Sequence, residues 1–174
     1  MLKINKVQKN FGGLTAVNNA TMQIEKGSIT GLIGPNGAGK TTLFNVITGN
    51  LQSDSGEVFL NGEKISGLKS HELFYKGVLR TFQIAHEFTS LTVLENLMMV
   101  PGNQFGENLL YSWFKNSVVR KQEEQIRAKA VEVINFLNLT HLTQELAGNL
   151  SGGQKKLLEL GRTMMVDAKL VLLD

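Results

Sequence analysis

Ser28-Ile29-Thr30-Gly31-Leu32-Ile33-Gly34-Pro35-Asn36-Gly37-Ala38-Gly39-Lys40-Thr41-Thr42 runs from a short apolar stretch into a complete G-x-x-x-x-G-K-[ST] pattern. Ser28 to Ile33 reads as a short buried strand. Thr41 to Thr48 reads as a helix carrying Leu43, Phe44, Val46 and Ile47, stopped by Gly49-Asn50. Strand, glycine-rich loop and helix in that order form a phosphate cradle. The glycines let the backbone turn tightly and aim successive N–H groups inward at a helix N-terminus. Gly34, Pro35, Asn36, Gly37, Ala38, Gly39, Lys40, Thr41 and Thr42 are therefore the candidate nucleotide-binding residues. In this pattern Lys40 reaches the β- and γ-phosphates and the Thr41 hydroxyl ligates Mg²⁺. A glycine-rich turn that merely joined strand to helix would not need every constrained position filled.

The rest of the 174-residue chain is ordinary globular material, 42% apolar and 19% charged, which excludes disorder and collagen-like structure. With no cysteine, neither a disulfide framework nor a thiolate metal site is available, which suits a reducing cytoplasm. No stretch approaches the roughly 20 apolar residues of a membrane helix. The net charge of +3 comes from scattered basic residues, so no nucleic-acid partner is expected. His71, His86 and His141 show no metal-ligand spacing.

Around the loop, residues 2–10 and 16–25 alternate as antiparallel strands at a sheet edge, and Gly56 to Gly62 is another short strand. A helical piece near Ser70 to Lys76 precedes a core strand from Val78 to Gln83. Thr92-Val93-Leu94-Glu95 is a T-x-x-E capping box opening a helix that Pro101-Gly102 ends, with Met98-Met99 read as core. Residues 102–117 predict a loop or short helices. From Val118 to Leu137, Ile126, Ala130, Val133, Ile134 and Leu137 mark one face of a long amphipathic helix. A shorter helix is predicted near Leu139 to Leu146.

Ser151-Gly152-Gly153-Gln154 has the S-x-x-Q spacing of a helix cap, yet puts two glycines in the first turn, at about 1 kcal/mol each relative to alanine. An anion approaching bare N–H groups would explain them; taken alone, the four residues also read as a loop. Together, Leu150 to Gln154 and the Gly34–Thr42 loop resemble the signature and Walker A motifs of ATP-binding-cassette (ABC) ATPases, and the resemblance runs the whole length. The implied fold is α/β: a P-loop NTPase core of ABC ATPase type with an antiparallel β edge and an inserted helical subdomain. Residues 1–83 and 155–174 would form the ATP-binding core and 84–154 the helical subdomain.

The resemblance extends to further residues. Phe11 in Asn10-Phe11-Gly12-Gly13 falls where the family stacks an aromatic on adenine, although alone it would read as a packed ring. Gln83 falls at the Q-loop glutamine, which senses Mg²⁺ and the γ-phosphate. Leu170 to Asp174 matches the Walker B strand, whose carboxylate holds Mg²⁺ mainly through water. Lys40, Gln83 and Asp174 are thus the implied catalytic residues, and Thr41, Gln83 and Asp174 the implied metal site. Ser151, Gly152, Gly153 and Gln154 would serve in trans the ATP held by a second ABC ATPase subunit, identical or paralogous. Phe11 to Val17, Val78 to Gln83 and Leu94 to Leu97 resemble the ATPase subunits of branched-chain amino-acid importers, with transmembrane permease partners and a place on the cytoplasmic face of the cell membrane.

The chain departs from the family at its end. After Asp174 the family continues with a glutamate that polarises the attacking water, and that general base, the D-loop and the switch histidine do not occur here. The sequence is therefore expected to be incomplete. The alternatives are a non-transport ABC ATPase, disfavoured by the lack of a long coiled coil or second cassette, and a non-hydrolysing nucleotide-binding remnant. A kinase or GTPase is disfavoured by Ser151 to Gln154 and by the absence of N-K-x-D. The purified 174-residue chain is expected to bind ATP weakly or to be poorly soluble and to hydrolyse it negligibly in a phosphate-release assay; robust turnover would contradict this.

Overall fold

Leu2 and Ile4 alternate with polar neighbours and are buried, but a strict period of two would then place Lys6 inside. The first strand avoids this with a bulge. Lys6 takes a positive φ of 48°, the register shifts between Ile4 and Val7, and Val7 returns to the buried face. The computed structural model of the chain describes residues 1–81, 88–102, 104–107 and 116–173. It places them in two compact units, Met1–Arg80 with Lys169–Asp174, and Thr81–Ala168.

In the first unit, β1 (Leu2–Phe11) and β2 (Leu14–Ile24) form an antiparallel hairpin. β3 (Ser55–Leu60) pairs with the other side of β1, and the two-residue β4 (Glu63–Lys64) with β3, giving the order β2-β1-β3-β4. β2 is thus an edge strand, as expected, while β1 is an inner one. The phosphate-loop helix α1 (Lys40–Ile47) and the short α2 (Ser70–Tyr75) add Leu43, Ile47 and Leu73 to a core built on Ile4, Val7 and Val58. β5 (Val78–Arg80) lies parallel to β6 (Leu170–Leu172), in register Val78 to Leu170 through Arg80 to Leu172. An Arg80 guanidinium nitrogen donates to Asn45 Oδ1 on α1, tying the end of β5 to the phosphate-loop helix.

One strand expected from the sequence is not formed. Ser28 to Ile33 has no strand conformation, and Ile29 and Ile33 are almost fully exposed, with only Leu32 packed on the core. A strand exists through its ladder, and among the described residues no strand pairs with this segment.

The second unit is helical. α3 (Val93–Met98) starts with the predicted capping box: Thr92 Oγ1 accepts from Glu95 N–H and Glu95 Oε2 accepts from Thr92 N–H. The long α4 (Asn116–Phe136) buries Ala130, Val133 and Ile134, with Ile126 packed alongside, on the face its spacing predicts. Asn138, at φ 57°, marks its end. α5 (Gly152–Met164) crosses close to both, since a Cβ on Gly161 would lie 2.9 Å from Leu137 and 3.2 Å from Leu97 and Val133. α5 thus packs within this unit, whereas the sequence reading expects residues 155–174 in the core. Met98 packs on this core, whereas Met99 is exposed.

The helix predicted over Leu139 to Leu146 is replaced by 3₁₀ turns at Thr140–Leu142 and Ala147–Asn149. The backbone here has other partners. Glu145 O and Thr143 O accept from Val93 and Leu94 N–H, satisfying two orphan donors of the α3 start, and Thr143 Oγ1 donates to Thr140 O. The expected short helix in residues 102–117 is met by a 3₁₀ turn at Phe105–Glu107; Tyr111, Trp113 and Phe114 lie outside the described residues.

The orientation of α4 gives a direct test. Ile134→Ala should cost about 2–5 kcal/mol in urea denaturation. Val131→Ala, on the exposed side, should stay within about 0.5 kcal/mol, and equal effects would contradict the assignment of faces.

Candidate functional site

The start of α1 differs from the starts of α3 and α5. Both of those carry a side-chain capping box, whereas α1 begins after Gly39 with no side-chain cap and no acidic residue in its first turn. The first intrahelical bond runs from Leu43 N–H to Gly39 O at 2.8 Å, so the N–H groups of Lys40, Thr41 and Thr42 face outward from the helix end. Uncapped donors at the positive end of a helix dipole suit an anion.

Two glycines set the loop that approaches this end. Gly37 and Gly39 have φ of 82° and 83°, and a Cβ on Gly39 would lie 2.1 Å from the Ala16 carbonyl oxygen of β2. Position 39 therefore admits glycine alone, and the contact seats the loop against the hairpin. Ala38 N–H closes a turn onto Pro35 O. The Lys40 ammonium folds back over the loop and donates to Gly34 O at 2.7 Å and Pro35 O at 2.8 Å. Two carbonyl dipoles thus hold the cation at the loop, and Thr41 is exposed beside it.

Phe11 sits at the turn of the β1–β2 hairpin, half exposed, with Lys9 Nζ 5.7 Å from its ring centroid. It is not the packed ring that an isolated phenylalanine suggests. Lys9 also pairs with Asp54 Oδ1 at 2.6 Å, while Asn10 N–H donates to Asp54 Oδ2. The Lys9 hydrogen bond, followed by that from the Asn10 backbone, holds the Asp54 carboxyl below the usual range, so it stays ionised and fixes the strand that carries Phe11.

Ser151 to Gln154 belong to the second unit. Ser151 caps α5, its N–H donating to Gln154 Oε1 at 2.8 Å and its hydroxyl accepting from Gln154 N–H at 3.4 Å. A Cβ on Gly152 or Gly153 would meet nothing within 4 Å, so no neighbouring packing demands glycine there. The glycines leave the first turn bare to whatever approaches it.

Gln83 and Asp174 lie outside the described residues. Among the described residues no cluster of His, Cys, Asp or Glu could hold a metal by itself. Sequence reasoning missed the Asn45–Arg80 bond and the fully buried Asn96. An amide between Glu95 and Leu97 gives no linear signal of burial beyond its place on the inward face of α3.

Residues 17–174 match the ABC transporter family. The chain belongs to the ABC transporter family. Within that family it is 44% identical over 178 residues to a protein of Archaeoglobus fulgidus named probable branched-chain amino acid transport ATP-binding protein LivG, covering all of this chain and 66% of the relative. It is 38% identical to the high-affinity branched-chain amino acid transport ATP-binding protein BraF of Pseudomonas aeruginosa, covering all of this chain and 68% of that protein. It also superposes with a TM-score of 0.78 and 39% identity on the ADP conformation of an ATP-binding cassette of an ABC transporter, covering 98% of this chain and 66% of that one. The ABC chain thus spans about two thirds of the length of these relatives. No described helix is long and apolar enough to cross a membrane.

Proposed function

We propose that this chain is the nucleotide-binding part of an ATP-hydrolysing, energy-coupling subunit of an importer for branched-chain amino acids. The observation that carries the reading is the uncapped start of α1, with its N–H groups, the left-handed Gly37 and Gly39, and Lys40 parked on two carbonyls. The names of the relatives support the substrate class, and the direction rests on the family resemblance. Nothing in them favours a non-transport ABC ATPase or a non-hydrolysing remnant.

On this reading the loop N–H groups hold the β-phosphate, and Lys40 leaves Gly34 O and Pro35 O to reach the β- and γ-phosphates, exchanging dipoles for a full negative charge. Thr41 offers its hydroxyl as a metal ligand, Gln83 and Asp174 complete the metal site, and Phe11 stacks on adenine. Mg²⁺ bound with ATP supplies the counter-charge for transfer of the γ-phosphoryl group to water. Ser151, Gly152, Gly153 and Gln154 serve the nucleotide held by a second ABC subunit, so each chain contributes half of each site. Residues 83–95 carry the movement to permease subunits, which places the protein on the cytoplasmic face of the membrane.

Calorimetric titration with Mg²⁺·ATP of the isolated, monomeric subunit that carries these 174 residues tests the reading. Lys40→Ala should weaken binding at least tenfold, the loss of one charge-assisted contact of about 1.5–3 kcal/mol. Ser151→Ala should leave binding to the lone chain unchanged, because its nucleotide belongs to the partner. Equal affinities for the wild type and Lys40→Ala would overturn the proposal, and a loss with Ser151→Ala would overturn the in-trans assignment.

A further inference from the structure

Asn96 is completely buried in the middle of α3, between Val93 and Leu97, where a leucine would pack without the cost of desolvating an amide. Its side chain does not serve its own helix alone. The Oδ1 atom accepts from Phe88 N–H at 2.9 Å, and Nδ2 lies within donating distance of Phe88 O at 3.0 Å, Thr92 O at 3.0 Å and Leu91 O at 3.2 Å. Two amide protons facing three carbonyls means that at least one is shared. Both backbone groups of Phe88 are thereby held by one side chain from eight residues away.

The same segment is held from its other side. Thr89 O accepts from Gly148 N–H at 3.1 Å, Leu91 O accepts from Ala147 N–H at 2.9 Å, and Thr92 forms an antiparallel bridge with Leu146. A third connection comes from α5 itself, whose Arg162 guanidinium carbon lies 5.4 Å from the centroid of the Phe88 ring. The Phe88 side chain and residues 89–90 are exposed, so this is a surface strap held by Asn96, by residues 146–148 and by Arg162. Gly148, on the clamp, is three residues from Ser151, which caps α5.

We propose that Asn96 is a positioning residue that makes the 88–92 strap and the start of α5 a single rigid bracket, so that a displacement of the strap is delivered to Ser151. Its consequence for catalysis rests on the reading of Ser151 to Gln154 as a nucleotide contact, whereas the bracket itself does not. Neighbouring apolar packing explains why α3 stays folded, and among the described residues the hydrogen bonds that link Phe88 to α3 are those of the Asn96 amide. An aspartate at position 96 would remove the donors and set a carboxylate against three carbonyl oxygens while keeping the shape.

Amide hydrogen exchange on the subunit that carries these 174 residues, read by mass spectrometry, tests this without nucleotide. Asn96→Asp should speed exchange at least tenfold both in residues 88–92 and in 147–154, while Ala130 to Ile134 of α4 changes less than twofold. A merely structural role would loosen α4 to the same degree, and a merely local one would confine the change to 88–92; either result overturns the proposal. If Asn96→Asp does not fold, Phe88→Ala, which removes the ring contact with Arg162 at the surface, decides. Faster exchange by about threefold at 151–155 with α4 unchanged supports the bracket, and no change there overturns it. Because no ATP enters the experiment, its failure is separate from failure of the nucleotide reading, which the Lys40→Ala titration decides.

Discussion

Gly39 faces the Ala16 carbonyl so closely that no side chain fits between them, at a backbone angle that L-residues avoid. This one approach joins the antiparallel hairpin to the phosphate-loop helix. It fixes where α1 starts, and hence where the N–H groups of Lys40, Thr41 and Thr42 point. The hairpin is pinned in turn by its bulge at Lys6 and by Asp54, whose carboxylate holds Lys9 and Asn10 near Phe11. Adenine-facing and phosphate-facing candidates thus share one support in the first unit.

Helix ends divide the labour along the chain. Thr92 closes α3 with its own side chain, assisted by Glu95, whose carboxyl is kept below its usual range first by the Thr92 N–H and then by the Thr92 hydroxyl. The start of α1 has no such closure, and its first N–H groups carry no side-chain cap. Ser151 stands between the two cases. Its side chain caps α5, while Gly152 and Gly153 leave the same turn bare. The cap leaves the outer face of that turn open because the Gln154 side chain reaches back to the Ser151 backbone.

Much of this was legible in the residues. The capping boxes at Thr92 and Ser151, the apolar face from Ile126 to Leu137 and the whole G-x-x-x-x-G-K-T loop are local patterns, and local patterns survive in a linear reading. What failed depended on partners distant in sequence. Ser28 to Ile33 has strand composition, but composition does not supply a ladder. Leu139 to Leu146 has helical spacing, but its carbonyls are taken by the N–H groups of α3. Asn96 looks like an ordinary polar residue until α3 packs and the 88–92 strap closes on it. Family resemblance carried the assignments of Phe11 and Gln83, which no isolated residue pattern would have made, whereas Asp174 also follows four apolar residues at the end of a strand pattern.

The central claim is that the fold itself holds the loop in its anion-receiving shape, through Gly39. Gly39→Ala measures it, with the urea midpoint and the Mg²⁺·ATP affinity read on the same preparation. The account predicts that both fall: stability by about 1–2 kcal/mol for the left-handed backbone alone, more with the clash, and affinity at least tenfold. An alanine variant with unchanged midpoint and unchanged affinity would contradict it.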